Sequence, residues 1–568
     1  MEASTGNPIS NLYSTQSPGT VLLIQQQCEG DIGHEQADGT VILMPQPANT
    51  VNDPLNWTRG QKIWHYAIHL LWVFLANARY TFLLVDHTTW TSPAWTVWTI
   101  DLNTDYTTLT YGQALLIVMC GIGVLFIQPW ATKHGRRLPY LLGSSLIICG
   151  LLCGRFMADS RLYFAYQLVA GFGSAPAYST IITSLLDVSF LHQRGSVLGL
   201  FGLFLMAGNF VPPIVAGYIV DKQGWPWCFN YLLIFFGVSS IILLVGAEES
   251  LFARDTFQTH NICGAEVART SLIPEQSDPV ENQCDKKQNT GTTSTTLDST
   301  SGDSRPFDTR RLSYRQKMTL YRQNPDVKAG YWRLTFAIFE VAMLPAAIWM
   351  SIMFSLSSFV VGVVLTTLAL FFSAPPYNFN AATMGLMYLP ILIGAVLGSV
   401  WGGPCTDWLL LRLSRRNEGI YEPEYRLWTY LLIPVVGAAG VLLYGVGAAQ
   451  GLHWIVPCLG LVFIGVYLDA STPIAMGFAL DCYPDLEDQV VQLSNFLRNV
   501  LGGAITFGLQ PWITYSGAQN TIIIIATVVF MLNATSVGFQ FWGKWVRSRS
   551  ARKYFNMRDR AHRLDARG

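Results

Sequence analysis

The stretch Gly123-Val-Leu-Phe-Ile-Gln-Pro-Trp-Ala-Thr-Lys-His-Gly-Arg-Arg137 runs a glycine-containing apolar helix directly into a basic turn. A second stretch of this kind reads Gly398-Ser-Val-Trp-Gly-Gly-Pro-Cys-Thr-Asp407 and is followed by Arg412, Arg415 and Arg416. Each stretch follows the second long apolar segment of its half of the chain. The repetition predicts a duplicated membrane bundle whose halves rock about a central site.

The composition also indicates a membrane protein. Charged residues make up 13% of the 568 residues and hydrophobic residues 51%, which leaves too little polar surface to cover a soluble fold. The mean hydropathy of +0.32 agrees with this. Residues 1–24 lack the basic start and long apolar run of a secretory signal, so we expect the first span to direct insertion.

Apolar segments of the length that crosses a bilayer occur about twelve times. In the first half they occupy residues 62–85, 110–131, 138–157, 162–186, 196–220 and 229–247. In the second half they occupy residues 345–372, 383–404, 427–448, 454–480, 491–513 and 520–543. Pro345 is expected to separate span seven from a short interfacial lead-in. The tryptophan-rich residues 86–109 predict an outer interfacial segment.

The basic residues predict the orientation and the domains. They concentrate in alternate turns and in the C-terminal tail, and because positive charge resists translocation, both termini are predicted to be cytoplasmic. The chain is then divided into a mostly disordered N-terminal segment, a six-helix half, a largely disordered central cytoplasmic loop, a second six-helix half and a basic tail near lipid headgroups. Their bounds are 1–61, 62–247, 248–330, 331–543 and 544–568, with disorder expected up to about Asp53.

Five motifs carry a resemblance to a known family. They are Asp53-Pro-Leu-Asn-Trp57, Gly135-Arg-Arg137, Phe190-Leu-His-Gln-Arg-Gly195, Pro375-Pro-Tyr-Asn378 and Asn417-Glu-Gly-Ile-Tyr-Glu-Pro-Glu-Tyr-Arg-Leu-Trp428. Over nearly its whole length the chain resembles major facilitator superfamily transporters, in particular the fungal twelve-span drug:proton antiporter group with its histidinol/polyamine-permease-like branch. The resemblance implies an all-α membrane protein of about twelve helices in two six-helix halves.

Two of the chain's departures from that family pattern are single residues in the first half. Thr132 stands in the first basic turn where an acidic residue is usual, and Gln167 stands in span four where many members have an arginine. The second-half turn keeps its acid, Asp407. We therefore predict that the latch between the halves comprises Gly135, Arg136, Arg137, Asp407 and Arg415, with its stronger part in the second half.

Two charged residues lie inside predicted spans, where a charge costs at least about 2.5–3.5 kcal/mol at the bilayer centre. Asp469 lies in span ten and Arg498 in span eleven, at similar depths. One interpretation is a structural ion pair between neighbouring helices. The other is that Asp469 binds a cationic substrate or a proton and that Arg498 competes for it. Arg79, near the outer end of span one, is expected to extend toward the interface.

Four further polar residues are candidates for the central site. They are Gln167, Asn209, Tyr388 and Asn499. Side chains of this kind present hydrogen bonds to a substrate, or they join neighbouring helices. The sequence leaves both interpretations open.

The predicted function is secondary transport of a small organic molecule by alternating access. Efflux of a drug-like or secondary metabolite, coupled to protons, is the first interpretation, and proton-coupled uptake of a cation such as a polyamine is the alternative. A non-transporting membrane sensor is a further alternative. No phosphate-binding loop or metal-spaced cluster is present in the sequence, so we expect no enzyme activity, cofactor, metal or nucleic-acid partner. We expect a monomer in the plasma membrane or, as second choice, the vacuolar membrane.

Overall fold

The computed structural model describes residues 17–25, 40–48, 50–82, 104–252, 312–322, 324, 327, 329–372, 375–379 and 381–562. Most of these residues are helical, and the long helices form twelve spans. The tryptophans of the predicted outer segment, the Thr/Ser-rich middle of the central loop and the last six residues lie outside the described residues.

The first half contains six spans. Span 1 is Arg59–Phe82, span 2 is Tyr106–His134 and span 3 is Arg137–Arg155. Span 4 consists of Ser160–Gly173 and Thr180–Asp187, joined through a 3₁₀ turn at Ala175–Ala177. Span 5 is Arg194–Gln223 and span 6 is Pro226–Gly246.

The second half contains six more spans. The lead-in helix Tyr331–Val341 precedes span 7, Pro345–Phe372, so the helix begins at the proline as predicted. Span 8 comprises Ala381–Leu386, Leu389–Val400, a π-helical turn at Trp401–Cys405, and Thr406–Arg416. Span 9 is Leu427–Tyr430 with Ile433–Ala449, and span 10 is Ile455–Cys482. Span 11 is Glu487–Ser516, and span 12 is Ala518–Ala534 with Ser536–His562.

Within the described part of the chain, nine of these spans are long and apolar enough to cross a membrane by composition alone. The three that fall short are spans 1, 4 and 11. Span 1 carries Arg79, span 4 carries Gln167 and span 11 carries Arg498. Their polar residues point into the bundle, because a lipid-facing helix could not satisfy them.

The two halves contact each other through spans 2 and 11 and through span 5 against spans 8 and 10. Glycine permits the close approach of span 5 to span 8: a Cβ at Gly199 would lie 2.9 Å from the carbonyl oxygen of Ser399. By contrast, span 6 exposes a row of apolar side chains, including Phe235, Val238 and Ile241, as expected for a surface in contact with lipid.

The N-terminal segment is not disordered throughout. Val21–Leu22 pairs antiparallel with Ile420–Tyr421, which precedes span 9, and Ile24–Gln25 pairs with Thr40–Val41. The backbone N–H of Leu191, before span 5, donates to the carbonyl oxygen of Met44 at 2.7 Å. The expectation of disorder up to Asp53 is therefore wrong for the described residues, which contact both halves at the cytoplasmic end.

The basic tail likewise contacts protein. The helix Ser536–His562 extends well past the predicted end of span 12. On it, Arg547 is 1% exposed and donates from Nε and Nη2 to the two carboxylate oxygens of Glu424 at 2.8 and 2.6 Å. Bidentate geometry of this kind is among the stronger hydrogen-bonded ion pairs. Arg547 therefore fixes this part of the tail to the turn before span 9.

Candidate functional site

A cavity lies between the two halves. Both halves supply polar groups to its lining. The polar side chains are those of Arg79, Cys120, Ser174, Tyr178, Asn209, Ser357, Ser358, Thr366, Thr472, Arg498 and Asn499. A site shared by the two halves is the arrangement that alternating access requires, because relative movement of the halves changes which side it faces.

Arg79 is a principal polar residue of this cavity, and the expectation that it extends toward the interface is wrong. Its side chain is 1% exposed. Nη2 donates to the Ser174 hydroxyl at 2.7 Å and Nη1 to the Tyr166 hydroxyl at 3.4 Å, while Nε is buried without a partner. Span 4 bends through its 3₁₀ turn just after Ser174, so the turn places this hydroxyl toward span 1.

Arg498 enters the cavity from the second half. Its guanidinium carbon lies 4.3 Å from the ring centroid of Tyr178 and 4.9 Å from that of Phe354, and its Nε donates to the Ser358 hydroxyl. Nη1 is buried and has no hydrogen-bond partner in the part of the chain that the structure describes. Cation–π contacts hold the planar group between two rings without neutralising its charge.

Asp469 does not pair with Arg498. Its carboxyl group is fully buried, and both of its oxygens lack a hydrogen-bond partner among the described residues. It faces span 5, where a Cβ at Gly202 would lie 2.4 Å from Oδ1. Because an ionised carboxylate without partners is costly in an apolar setting, the neutral acid is the form this packing accommodates. The predicted ion pair is therefore absent from this conformation.

The other four candidates separate into two pairs. Asn209 and Asn499 line the cavity. Gln167 does not, since its Nε2 donates to the Tyr163 hydroxyl at 2.9 Å inside the first half. Tyr388 is also outside the lining and stacks on Phe210, with ring centroids 5.9 Å apart.

A network of ion pairs joins the halves at their cytoplasmic ends, and we name it the cytoplasmic seal. It consists of Arg136, Arg194 and Arg426 with Asp187, Asp407, Asp481, Glu487 and Asp488. Arg136 of the first half contacts Asp488 of the second at 2.9 Å. Arg194 at the start of span 5 contacts Glu487 at 2.7 Å and Asp481 at 3.3 Å, both in the second half.

Arg426 is at the centre of the seal and is fully buried. Its Nε lies 2.6 Å from Asp481 and its Nη1 lies 3.3 Å from Asp407, and Nη2 donates across the halves to the carbonyl oxygen of Leu191 at 3.1 Å. Buried charges of this kind are stable only as a hydrogen-bonded set, so loss of one member leaves another uncompensated.

Asp407 also caps the first turn of span 5. It accepts from the backbone N–H of Gly195 at 3.0 Å and of Ser196 at 2.7 Å, where the helix dipole favours a negative charge. The prediction that Arg415 is the latch partner of Asp407 is wrong. Arg426 is the arginine that pairs with Asp407, whereas Arg415 lies exposed near the end of its helix. Asp407 and Arg415 are eight positions apart on one helix, which is too far along its axis for them to pair. Arg426 can pair with Asp407 because the turn before span 9 brings the chain back to that residue.

The first basic turn binds an acid that the sequence prediction missed. Oε1 and Oε2 of Glu249 accept from the backbone N–H groups of Arg136 and Arg137 at 2.8 and 3.0 Å. Burial raises the pKa of Glu249, and these backbone hydrogen bonds oppose that shift. Gly135 has φ of +110°, which favours glycine, and a Cβ there would lie 2.7 Å from the Glu249 carboxylate.

The Arg137 side chain takes no part in the seal itself. It donates to the carbonyl oxygens of Leu244 and Met318, which ties the first basic turn to span 6 and to the short described part of the central loop.

The sequence contained a signal for the missed seal residues. The turn between spans 4 and 5 runs from Asp187 to Arg194, and the corresponding turn between spans 10 and 11 runs from Asp481 to Glu487. The first of these turns ends in the basic residue Arg194 and the second in the acidic residue Glu487. Opposite charges at corresponding positions are the pattern expected where two turns meet. The apolar-span criterion ignored these positions because they lie just outside the predicted spans, although the helices of the structure include them.

Comparison with known proteins agrees with this architecture. A sequence profile described as Major Facilitator Superfamily matches residues 80–507. The chain belongs to the major facilitator superfamily. The transporter is 26% identical to Protein HOL1 of Saccharomyces cerevisiae over 97% of each chain. It is 25% identical to a probable efflux pump, mfs2, of Aspergillus flavus, over 80% of this chain and 97% of that one.

Solved structures support the same fold. The transporter superposes on the proton:xylose symporter XylE with a TM-score of 0.55 at 12% identity, covering 85% of this chain and 96% of that chain. At this identity the likeness shows the fold alone.

Proposed function

We propose that this transporter exports a small organic molecule, drug-like or a secondary metabolite, from the cell in exchange for protons, acting as a monomer in the plasma membrane. The observation that carries the proposal is the cavity lined by both halves above ion pairs that join the halves at one end. This arrangement supports a site that is closed to the cytoplasm in one state and opened in the other.

The ion pairs of the cytoplasmic seal determine the free-energy cost of opening the cavity toward the cytoplasm. Opening toward the cytoplasm separates Arg136 from Asp488, and Arg194 from Asp481 and Glu487. It also takes the Asp407 carboxylate away from the first turn of span 5. Water that enters the widened gap then solvates these charges, which offsets the lost pairs. The two states therefore lie close enough in free energy for a substrate or proton to shift their populations.

Asp469 is the group we assign to proton coupling. The carboxyl group lies where spans 5 and 10 meet, without a hydrogen-bond partner and against the backbone of Gly202. Separation of the halves would admit water to it and allow it to release its proton, and closure would require the proton again. Its protonation is therefore linked to the closed contact between the halves.

The export direction draws its support from the relatives, one of which is named a probable efflux pump. The cation-uptake alternative relied on Asp469 facing the substrate. Because Asp469 is absent from the described lining of the cavity, we place export before the cation-uptake alternative, which the flux assay below also tests.

The test is a flux assay in a yeast host lacking its own drug and polyamine carriers. Cells receive a panel of toxic metabolites and labelled spermidine, with and without a proton uncoupler, and retention is measured for wild type and Asp469→Asn. Lower retention of a panel compound that depends on both Asp469 and the proton gradient supports the proposal. Accumulation of spermidine would overturn it in favour of the permease.

A linker control separates transport from sensing. Residues 289–303 are replaced by a flexible linker of equal length in a protein that is shown to reach the cell surface. Unchanged flux in this variant agrees with transport. Ligand binding without flux, lost when the loop is replaced, would identify a sensor instead.

A further inference from the structure

Positive charge dominates the polar lining of the central cavity. Arg79 enters from span 1 and Arg498 from span 11, and no aspartate or glutamate is among the described residues that line it. The rest of the polar lining consists of neutral hydroxyl, amide and thiol groups. The Cys120 thiol lines the same cavity as both guanidinium groups, so the two arginines face one space.

Neither guanidinium group has all of its donors paired. Among the described residues, Nε of Arg79 and Nη1 of Arg498 are buried without a hydrogen-bond partner, and the partners of the two side chains include the hydroxyls of Tyr166, Ser174 and Ser358. Arginine keeps its proton in proteins, so it cannot relieve this by becoming neutral. A buried donor on a cation costs free energy until an acceptor, preferably an anion, is supplied.

Asp469 does not supply that anion. It lies outside the described lining, and both of its oxygens lack a partner. The acids of the cytoplasmic seal are already bound to Arg136, Arg194 and Arg426. Within the described residues, the missing negative charge must therefore come with the ligand.

We infer that the molecule carried by this transporter has an anionic group, such as a carboxylate, which Arg79 and Arg498 bind together. This inference rests on the proposed function and specifies its substrate class. The apolar part of the lining, which includes Leu116, Phe354 and Leu365, and the ring of Tyr178 suit an aromatic or aliphatic body attached to that group. A cationic molecule would meet two like charges in a poorly solvated space.

The test uses three probes of one size that differ in charge: indole-3-acetate, indole-3-acetamide and tryptamine. Binding to the purified full-length protein is measured at pH 7, where the first is an anion, the second neutral and the third a cation. Fluorescein and rhodamine 123 repeat the comparison on a larger ring system. The inference expects each anion to bind at least about tenfold more tightly than its cationic counterpart.

Matched variants assign the preference to the two arginines. Arg79→Gln and Arg498→Gln should each weaken anion binding about tenfold or more, and Arg498→Lys should retain part of it because the charge remains. Arg155→Gln is the control, since Arg155 contacts Asn230 at 3.0 Å outside the cavity lining. The inference would be overturned if the tested anions do not bind, or if they bind no more tightly than the cations.

The same experiment distinguishes failure of the anionic-substrate inference from failure of the transporter proposal. Preferential binding and export of tryptamine or rhodamine 123 would reject the anionic substrate and leave the transporter proposal standing. Anion binding without flux of any compound would support the site and count against transport.

Discussion

Arg136 and Asp488 form an ion pair across the two halves of the bundle, with 2.9 Å between Nη1 and Oδ1. Arg136 also contacts Asp187 of its own half at 3.3 Å. Burial opposes the charge of the guanidinium group, but the two carboxylates outweigh it and raise the pKa of Arg136. Because arginine keeps its proton in proteins, the cation stays charged when the seal opens, and its partner in the second half is exchanged for water.

Asp488→Asn should weaken the cytoplasmic seal. Breaking a buried pair costs up to about 3–5 kcal/mol, so the population open to the cytoplasm should rise severalfold or more. In inside-out vesicles, an impermeant thiol reagent should label the cavity residue Cys120 faster in this variant. Glu340→Gln is the control, because the Glu340 side chain is 46% exposed and its contact with Arg560 is 3.6 Å long. Equal labelling in both variants would contradict the seal.

Asp407→Asn should lower the stability of the protein much more than Arg415→Gln does. Asp407 binds Arg426 and the first turn of span 5, and loss of such a cap and pair costs on the order of 1–3 kcal/mol. Arg415 is exposed, so its substitution should change stability by less than about 0.5 kcal/mol. Thermal unfolding in detergent measures both. A larger loss for Arg415→Gln would contradict the pairing seen here.

Gly202→Ala should disturb the buried carboxyl group of Asp469. The added Cβ would lie 2.4 Å from Oδ1, so the side chain or span 5 has to move, at a cost of about 1–3 kcal/mol. Gly237→Ala is the matched control in span 6, where a Cβ meets nothing within 4 Å. We expect a lower melting temperature and slower proton-driven flux for Gly202→Ala alone. Matching melting curves and flux for the two variants would show that this contact is unimportant.

Deletion of residues 1–25 should loosen the cytoplasmic end, because it removes the strand Val21–Leu22, which pairs with Ile420–Tyr421 of the second half. It also removes the Pro18 carbonyl oxygen that accepts from Arg547. We expect faster tryptic cleavage at the cytoplasmic face and a lower melting temperature. Deletion of residues 1–15 leaves these contacts in place and serves as the control. If the two deletions behave alike, the strands do not stabilise the seal.

Much of the fold was predictable because membrane helices are specified locally. A span needs about twenty apolar residues, and each half repeats the same order of spans and basic turns. Pro345 marked the start of span 7 because proline fits a first helical turn. The N-terminal strands were missed, since two-residue strands that pair with Ile420–Tyr421 and Thr40–Val41 leave no periodic signal.

The candidate site was only partly predictable. Asn209, Arg498 and Asn499 do line the cavity, whereas Gln167, Tyr388 and Asp469 lie outside its described lining. A charged residue in a span indicates that a partner is needed but not which helix supplies it. Arg79 was misjudged because its distance from the span end suggested the interface, while the bend of span 4 brings Ser174 to it.

The sequence by itself determined the number of spans, their orientation and the two basic turns, because hydropathy and charge act on each segment separately. Only the tertiary structure decided which charges meet: Arg136 with Asp488, Arg194 with Glu487, and Arg426 with Asp407. These residues are far apart in the chain, and packing of the halves brings them together. The same packing places Asp469 against Gly202 and leaves Arg79 and Arg498 in the cavity with unpaired donors.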